Sequence, residues 1–558
     1  MDNFQIADTF SLLAKLMDIH GENSFKSKSY ASAAFSIEKI NVPLAGMSTE
    51  KISAFQGIGL STAQKISELL ETGRLTVLEK LIAATPDGVL QMMQIKGIGP
   101  KKINAIWKSM EIESIGELLY ACKENRLKLY KGFGEKTQQN IIDAISFFLQ
   151  HQGSHLFADA QLIDELIFPI LSTLLAGFRL ERTGQIPTQP ETVDRFDYIT
   201  TGDPESVISL LQNPACKFSI KEHHVDYIDF ATNEDYPVRL WLCNEAGFIE
   251  KKIETGSSVT FWEILKNKQA EKGTLHADSE EAYFNELNLP HFPAFLRDEA
   301  DWIHNTDQAD IDNIIQPSDI RGIIHAHSNW SDGSHSLEEM ATKAKASGLE
   351  YLVISDHSRS AFYAQGLSSE RVMAQHQQID ELNPKLAPFK IFKSIESDIL
   401  NDGSLDYDAE ILSKFDLVIA SVHSNLKMDK DKAMARLIRA IENPYTTILG
   451  HMTGRLLLSR AGYPVDHERI IDACASNQVA IELNAHPRRL DMSWKYIRMA
   501  VDKGVIISIN PDAHSTEGFA DVKYGVYAAQ KAMLSPNNNL SSYSLPAFEH
   551  YLKKIKRW

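Results

Sequence analysis

Cysteine is scarce in this chain: four residues in 558, at Cys122, Cys216, Cys243 and Cys474, with no C-x-x-C pair. That spacing argues against a zinc ribbon or a disulfide framework and suits a reducing compartment. Long apolar runs are missing too, none approaching the roughly 20 residues that cross a bilayer. The opening MDNFQIADTF lacks a basic stretch followed by an apolar core, so no secretory signal is expected, and the chain is assigned to the cytoplasm. Basic charge is in deficit, with a net charge of -17. The deficit is uneven, because residues 1–150 carry 17 Lys and Arg against 16 Asp and Glu. The N-terminal part can therefore still meet a phosphate backbone. At roughly 100–200 residues per domain, the length predicts about three to five domains.

Three short glycine signatures recur early: Gly57-Ile58-Gly59, Gly97-Ile98-Gly99 and Gly132-Phe133-Gly134. Each precedes a helix-like stretch (STAQKISELLE, PKKINAIWKSM, EKTQQNIIDAI) and follows a short apolar helical segment. This pattern reads as helix-hairpin-helix. Glycines permit the tight turn, and free N–H groups at the next helix start face a phosphate oxygen. Pro100 suits the first helical position, and Lys101 and Lys102 add charge beside it. One such turn is weak evidence; three with the same flanks predict DNA-backbone binding.

From Arg321 the pattern changes. Apolar strand-like runs alternate with helical segments: GIIHAH, LEYLVISDHS, FKIFKSIESDIL, FDLVIASVHS, YTTILGHM, VAIELNAH and GVIISINPDAH. A β/α repeat predicts a parallel barrel or sheet with its site at the strand C-terminal ends. Polar residues collect there: His325, His327, His357, Glu396, His423, His451, Asp512 and His514. Strand alternation predicts that His325 and His327 point the same way and share an ion. Imidazoles and carboxylates without thiolates suit Zn2+, Mn2+ or Fe2+, and burying them together is costly unless they are paired or metal-bound. His335, His376, His467 and His486 read as ordinary loop or helix-surface residues.

The motifs HAHSNWSDG (325–333), SDHS (355–358), SVHSN (421–425) and PDAH (511–514) resemble the four motifs of the PHP (polymerase and histidinol phosphatase) domain. The resemblance implies a three-metal site of nine residues: His325, His327, Asp332, His357, Glu396, His423, His451, Asp512 and His514. It implies two to three divalent ions, Mn2+ or Zn2+, with Fe2+ also admissible. In this reading His325, His327, Glu396 and Asp512 hold the nucleophile-side ions. His357, His423 and His451 hold the substrate-side ion, and Asp332 and His514 complete the shell or transfer a proton.

Upstream, FKSKSYASAAFSIEKI (25–40) and FQGIGLSTAQKISELLETGRL (55–75) resemble the lyase domain of family X DNA polymerases. Lys65 falls at the position of that family's Schiff-base lysine, while a neighbouring family lysine is Ser61 here. ERTGQIPTQPETVDRFDYITTGD (181–203) resembles the polymerase palm. EEAYFNELNLPHFPAFLRDE (280–299) resembles the segment that joins the polymerase core to the C-terminal domain in bacterial PolX proteins.

The palm departs from the family pattern. Nucleotidyl transfer needs two divalent cations, which the family holds with three aspartates. The family's Asp-x-Asp reads Arg195-Phe196-Asp197, and the third position, in YPVRLWL (236–242), is Arg239. Asp194 is one residue out of register, which on a strand points to the other face. The Gly-Ser turn that grips a triphosphate reads Gly184-Gln185, followed by Pro187 and Thr188 where arginines are usual. Little or no polymerase activity is expected, with the palm kept as a DNA-holding or spacing scaffold and Asp197 as its residual acid.

The expected fold is multidomain: an all-α helix-hairpin-helix region, an α+β polymerase-beta-like palm and thumb, and a C-terminal α/β PHP barrel, seven-stranded and distorted from a TIM barrel. The expected divisions are 1–85 (lyase-like), 86–152 (fingers-like), 153–250 (degenerate palm), 251–318 (thumb-like region and linker) and 319–558 (PHP). The implied function is DNA repair by a metal-dependent 3′–5′ exonuclease. It would act as a nucleoid-associated monomer on primer–template, gapped or 3′-ended DNA. Alternatives are a phosphatase on small phosphate esters, a non-catalytic DNA scaffold, and a polymerase that uses Asp194, Asp197 and a third acid.

Overall fold

A computed structural model of the chain describes residues 1–555 except 96, 124–126, 128, 129, 131, 151, 152, 214, 215, 459 and 460. The chain divides into two compact units, Met1–Gln152 and Gly153–Trp558.

The first unit is helical. Asp2 caps the helix Asn3–His20 through a capping box with Gln5, and Gly21, at φ 72°, ends it. Ile6, Phe10, Leu13 and Met17 recur at helical spacing and are buried. They pack with Tyr30, Ala34 and Ile37 of the helix Ser24–Glu38 in a core that extends to Ile145. Asn104 Nδ2 donates to the Ile19 carbonyl at 2.8 Å, tying the second hairpin to the first helix.

The three glycine turns share one geometry. Gly57, Gly97 and Gly132 have φ of 87°, 91° and 94°, in the left-handed region. The middle residues Ile58, Ile98 and Phe133 are buried as anchors. Gly59 and Gly99 cap the helices Leu60–Thr72 and Pro100–Asn104 with ordinary extended backbone. A Cβ on Gly59, Gly99 or Gly134 would meet nothing within 4 Å. No internal contact therefore demands glycine there, as suits a backbone approached closely from outside.

The second unit begins with a short antiparallel pair, β1 (His155–Leu156) and β3 (Thr192–Val193). A five-stranded sheet is built from β2 (Leu180–Thr183), β4 (Phe196–Thr200), β5 (Ser219–His223), β6 (Tyr227–Ala231) and β7 (Pro237–Leu242), in the order β2-β4-β7-β6-β5. Strands β4 and β7 are parallel, and their register sets Asp197 directly beside Arg239.

Seven parallel strands follow: β8 (Gly322–Ala326), β9 (Tyr351–Ile354), β10 (Lys390–Asp398), β11 (Leu417–Ser421), β12 (Ile448–Leu449), β13 (Ala480–Asn484) and β14 (Ile507–Asn510). They lie side by side in chain order. Just past the ends of β8 and β14 the barrel closes: Ala326 bridges Ala513, and the His327 N–H donates to the Ala513 carbonyl at 2.8 Å. Strands covered on both faces read as continuous apolar runs, and β8, β9, β11, β12, β13 and β14 are buried throughout.

Two cations of the barrel half hold the residues ahead of it. Lys531, 2% exposed, reaches the Thr188 carbonyl and Asp298 Oδ2, each at 2.5 Å. Arg455 donates to both carboxylate oxygens of Glu191, at 2.6 and 3.2 Å, and to the carbonyls of Arg489 and Leu490. Among the described residues, no helix is long and apolar enough to cross a membrane.

Candidate metal centre

The C-terminal ends of parallel strands meet at one mouth, and the polar residues of this barrel gather there. Glu396, on β10 and 1% exposed, is the hub. Its carboxylate lies 3.3 Å from His325 Nε2, 3.8 Å from His327 Nε2, 3.0 Å from His357 Nδ1, 3.1 Å from His423 Nε2 and 2.9 Å from His451 Nε2. Asp512 Oδ1 lies 3.1 Å from His327 Nε2 and 3.4 Å from His325 Nε2. Asp332 Oδ2 faces His357 Nε2 at 3.5 Å and His514 Nε2 at 3.4 Å. The His327 and His514 rings stack with centroids 4.2 Å apart.

His325 and His327 do come together, though not by simple strand alternation. His325 has φ 64°, and the pairing of β8 with β9 shifts register between Ile323 and Ala326. Asp512 is left-handed as well, at φ 53°. Such backbone is costly for non-glycine residues and clusters where function demands it.

Ligand atoms within reach of one another form three groups: His325, His327 and Asp512; His327, Asp332, His357 and His514; and His357, Glu396 and His423. This partition differs from the sequence-based one. Asp332 and His514 form a group of their own with His327 and His357, and His451 joins none of the three, facing Glu396 instead.

The donor set suits borderline divalent cations, with imidazole and carboxylate and no thiolate. His327 Nδ1 is enclosed and has no hydrogen-bond partner, as expected of an atom meant for a metal. The electrostatics agree. Burial opposes charge on His325, yet Glu482, Asp512 and Glu396 hold its pKa well above the ordinary value. Burial, reinforced by His514 and His357, pushes His327 down to about 3. Despite burial, Glu396 is held well below the usual carboxylate range by His423, His325 and His357. Cations in the site would take the place of these protons.

Three buried carboxylates behind the cluster escaped the sequence reading. Glu482, fully buried on β13, accepts from His325 Nδ1 at 2.6 Å and Asn510 Nδ2 at 2.7 Å on one oxygen. Its other oxygen accepts from the His451 N–H at 3.0 Å and Asn484 Nδ2 at 3.1 Å. Asp398, two residues beyond Glu396, meets His423 Nδ1 at 2.5 Å. A proton held on Nδ1 leaves Nε2 free to ligate. Asp356 accepts from Ser328 N–H, Ser328 Oγ, Ser331 Oγ and Gln375 Nε2 at 2.5–2.8 Å, fixing the turn that carries Asp332. The available signal was an acid inside an apolar strand (VAIELNAH) or two residues from a ligand (Glu396 and Asp398).

His376 corrects the surface reading. It is buried on the helix Ser369–Leu386, edge-on to Phe415, and burial together with Lys393 lowers its pKa to about 4. His467 stacks on Tyr496, and His335 and His486 are in loops.

In the palm, Arg195 clasps Asp197 at 2.8 Å, and Trp241 Nε1 donates to the same carboxylate at 3.1 Å. Burial raises the Asp197 pKa even with Arg195 beside it. Arg239 forms a two-pronged pair with Asp229 at 2.6 and 2.7 Å. Asp194 bonds Ser154 instead of joining Asp197. Gly184 is required where it stands, because a Cβ there would lie 2.6 Å from the Asp197 side chain. Among the described residues, no group of three metal donors forms in this half. Lys65 is half-exposed on its helix, 3.5 Å from Ser61 Oγ. A neutral amine nucleophile needs burial or a cationic neighbour instead. Lys101 and Lys102 stand in the first turn after Gly99.

Comparisons with known proteins agree with this architecture. Residues 1–75 match a helix-hairpin-helix domain, 89–146 a SAM-like helix-hairpin-helix tandem, and 324–486 the PHP domain. The last span holds all nine candidate ligands except Asp512 and His514. The "DNA polymerase/3'-5' exonuclease PolX" of Bacillus subtilis is 31% identical over 97% of this chain and 98% of its own. A "probable phosphatase" of Acetivibrio thermocellus is 26% identical over 42% of this chain and 95% of its own. Another, from Syntrophotalea carbinolica, is 24% identical over 38% of this chain and 88% of its own. With a full-length relative of that kind, helix-hairpin-helix regions ahead and a PHP domain behind, this chain belongs to the PolX family of DNA-acting enzymes.

Proposed function

We propose that the chain is a 3′–5′ exonuclease that hydrolyses terminal phosphodiesters of DNA at its PHP site. The observation that carries this reading is the gathering of five imidazoles around one buried glutamate, with Asp332, Asp512 and His514 alongside. Divalent cations, when bound, would supply Lewis acidity and neutralise the charge of the phosphate and leaving oxygen.

The chain's own residues divide the remaining work. His325, His327 and Asp512 would hold one ion, His357, Glu396 and His423 a second, and Asp332 and His514 would stand ready for a third between them. Glu396 sets the spacing through its contacts with five histidines. Asp332 and His514, on the open side, complete the shell or move a proton to the leaving oxygen. The helix-hairpin-helix turns at Gly57–Gly59, Gly97–Gly99 and Gly132–Gly134, with Lys101 and Lys102, would hold the duplex backbone. The palm serves as a scaffold without polymerase activity, since arginines stand where two metal ligands would be. The working divisions are 1–85, 86–152, 153–250, 251–318 and 319–558.

A second reading, hydrolysis of small phosphate esters, draws on the relatives called probable phosphatases, which match the C-terminal part alone. Three hairpin turns in the first unit favour DNA over that reading. A 5′-labelled primer on a template, with Mn2+ and all four nucleotides, tests it against a His325→Ala/His327→Ala variant. Shortening by the wild type alone is expected. Extension would overturn the reading of Arg195 and Arg239, and an unchanged primer would transfer the assignment to small esters.

A further inference from the structure

Beside the His357–Glu396–His423 group the barrel mouth opens into a groove of about 540 Å³. This lies within the roughly 300–1,000 Å³ of small-molecule clefts. The groove shares Asp398 and His423 with the candidate centre and is otherwise lined by Ser360, Leu400, Asn401, Asp402 and Ser424. Among the described residues no lysine or arginine lines it, although Arg439 pairs with the Asp402 carboxylate at 3.2 Å. A phosphate backbone would meet the carboxylates of Asp398 and Asp402. A neutral group with donors and acceptors would meet hydroxyls, an amide and one apolar side chain.

The walls are held from behind. Arg436, 3% exposed, donates to the carbonyls of Ile399, Leu400 and Ser424. Asn425 Nδ2 donates to the side-chain Oδ1 of Asn401 at 2.5 Å. On the other side, Ser360 donates its N–H to Asp406 at 2.6 Å and its hydroxyl to Asp398 at 2.7 Å. Two residues beyond this anchored serine, Phe362 is 86% exposed. So exposed a phenyl ring adds little to the core, but its flat face suits a nucleobase.

We propose that this groove is the subsite for the terminal nucleoside of the cleaved strand. The 3′-terminal base and sugar, unstacked from the duplex, occupy it with Phe362 against the base. The phosphate on that nucleoside's 5′ oxygen then reaches the metal group. Water adds to phosphorus, and the bond to the 3′ oxygen of the preceding nucleotide breaks. That oxygen takes a proton, and a nucleoside 5′-monophosphate leaves. Recognition through a ring face and neutral hydrogen bonds tolerates every base. The inference rests on the phosphodiesterase reading above.

Two chromogenic diesters test it on the full chain with Mn2+. Thymidine 5′-(p-nitrophenyl phosphate) carries a nucleoside on the 5′ oxygen, and bis(p-nitrophenyl) phosphate carries none. For Phe362→Ala and Asn401→Ala we expect kcat/KM on the thymidine ester to fall about five- to tenfold, chiefly through KM, the loss of one stacking or hydrogen-bonding contact. Turnover of the bis ester should stay within about twofold, and inhibition by thymidine 5′-monophosphate should weaken in parallel. Equal losses on both esters, or no loss on either, would overturn the subsite. If wild type hydrolyses neither ester and leaves the labelled primer intact, the phosphodiesterase reading falls and the subsite with it.

Discussion

Replacing Glu482 by Gln separates the role of a metal ligand's support from that of the ligand itself. In the wild type each Glu482 oxygen accepts two donors: His325 Nδ1 and Asn510 on one, the His451 N–H and Asn484 on the other. Glutamine keeps one oxygen and turns the other into a donor. If its oxygen stays with His325, two buried donors lose their acceptor. At about 1–3 kcal/mol for each unsatisfied group, the metal-free chain should lose on the order of 2–6 kcal/mol of stability. If the amide flips, the His325 tautomer is no longer fixed. Supports of this kind are worth about 10–100-fold in metal affinity. The assay is Mn2+ titration calorimetry on chelator-stripped protein, paired with its denaturant midpoint. The expected result is a weaker first binding step together with a lower midpoint. Wild-type Mn2+ affinity in a destabilised variant would refute the orienting role and reduce Glu482 to a packing residue.

Three further outcomes follow from the same geometry. Gly59→Ala with Gly99→Ala should leave the melting temperature nearly unchanged, because neither Cβ meets a neighbour. Duplex binding, read by fluorescence anisotropy, should weaken about five- to tenfold, on the order of 1 kcal/mol; unaltered binding would remove the hairpins from the DNA interface. His376 is neutral when folded, its pKa lowered to about 4 by burial and Lys393. The unfolded chain therefore takes up its proton first as pH falls from about 6.5 toward 4, and stability drops in that window. His376→Phe should flatten the melting temperature there, and an unchanged acid profile would contradict the burial argument. Arg195→Asp combined with Arg239→Asp should create one additional Mn2+ site beside Asp197, detectable by calorimetry, with neither single change sufficient. A double variant with no added site would contradict the Asp197–Arg239 register as the lost ligand position.

How far the sequence reached depended on the range of each signal. The strand–helix alternation after Arg321 is local, so seven strands and the clustering of His and acids at their ends were legible. The pairing of His325 with His327 was expected from alternation, but it is delivered by a left-handed histidine and a shifted register, which no periodicity encodes. Glu482, Asp356 and Asp398 act through contacts that join distant strands, such as the 157 residues between His325 and Glu482. Their sequence trace was only an acid where an apolar residue is usual. His376 was misassigned because a lone histidine on a polar-looking helix carries no mark of the Phe415 ring that covers it. The glycine turns were readable because positive φ at Gly57, Gly97 and Gly132 is a property of the turn itself.

Lys531 and Arg455 have an evolutionary consequence. Both cations belong to the barrel half, and both find their counter-charges ahead of it, Lys531 at Asp298 in the joining segment and Arg455 at Glu191. Excising the barrel at residue 319 would remove the Asp298 and Glu191 carboxylates, leaving the Lys531 ammonium and the Arg455 guanidinium without these partners. The residues ahead of the barrel are thus tied to it by their neighbour's electrostatics. Their loss would require simultaneous replacement of both cations, a coincidence that single mutations do not supply. Dependence of this kind works as a ratchet, keeping a domain in the chain by what the adjoining surface needs.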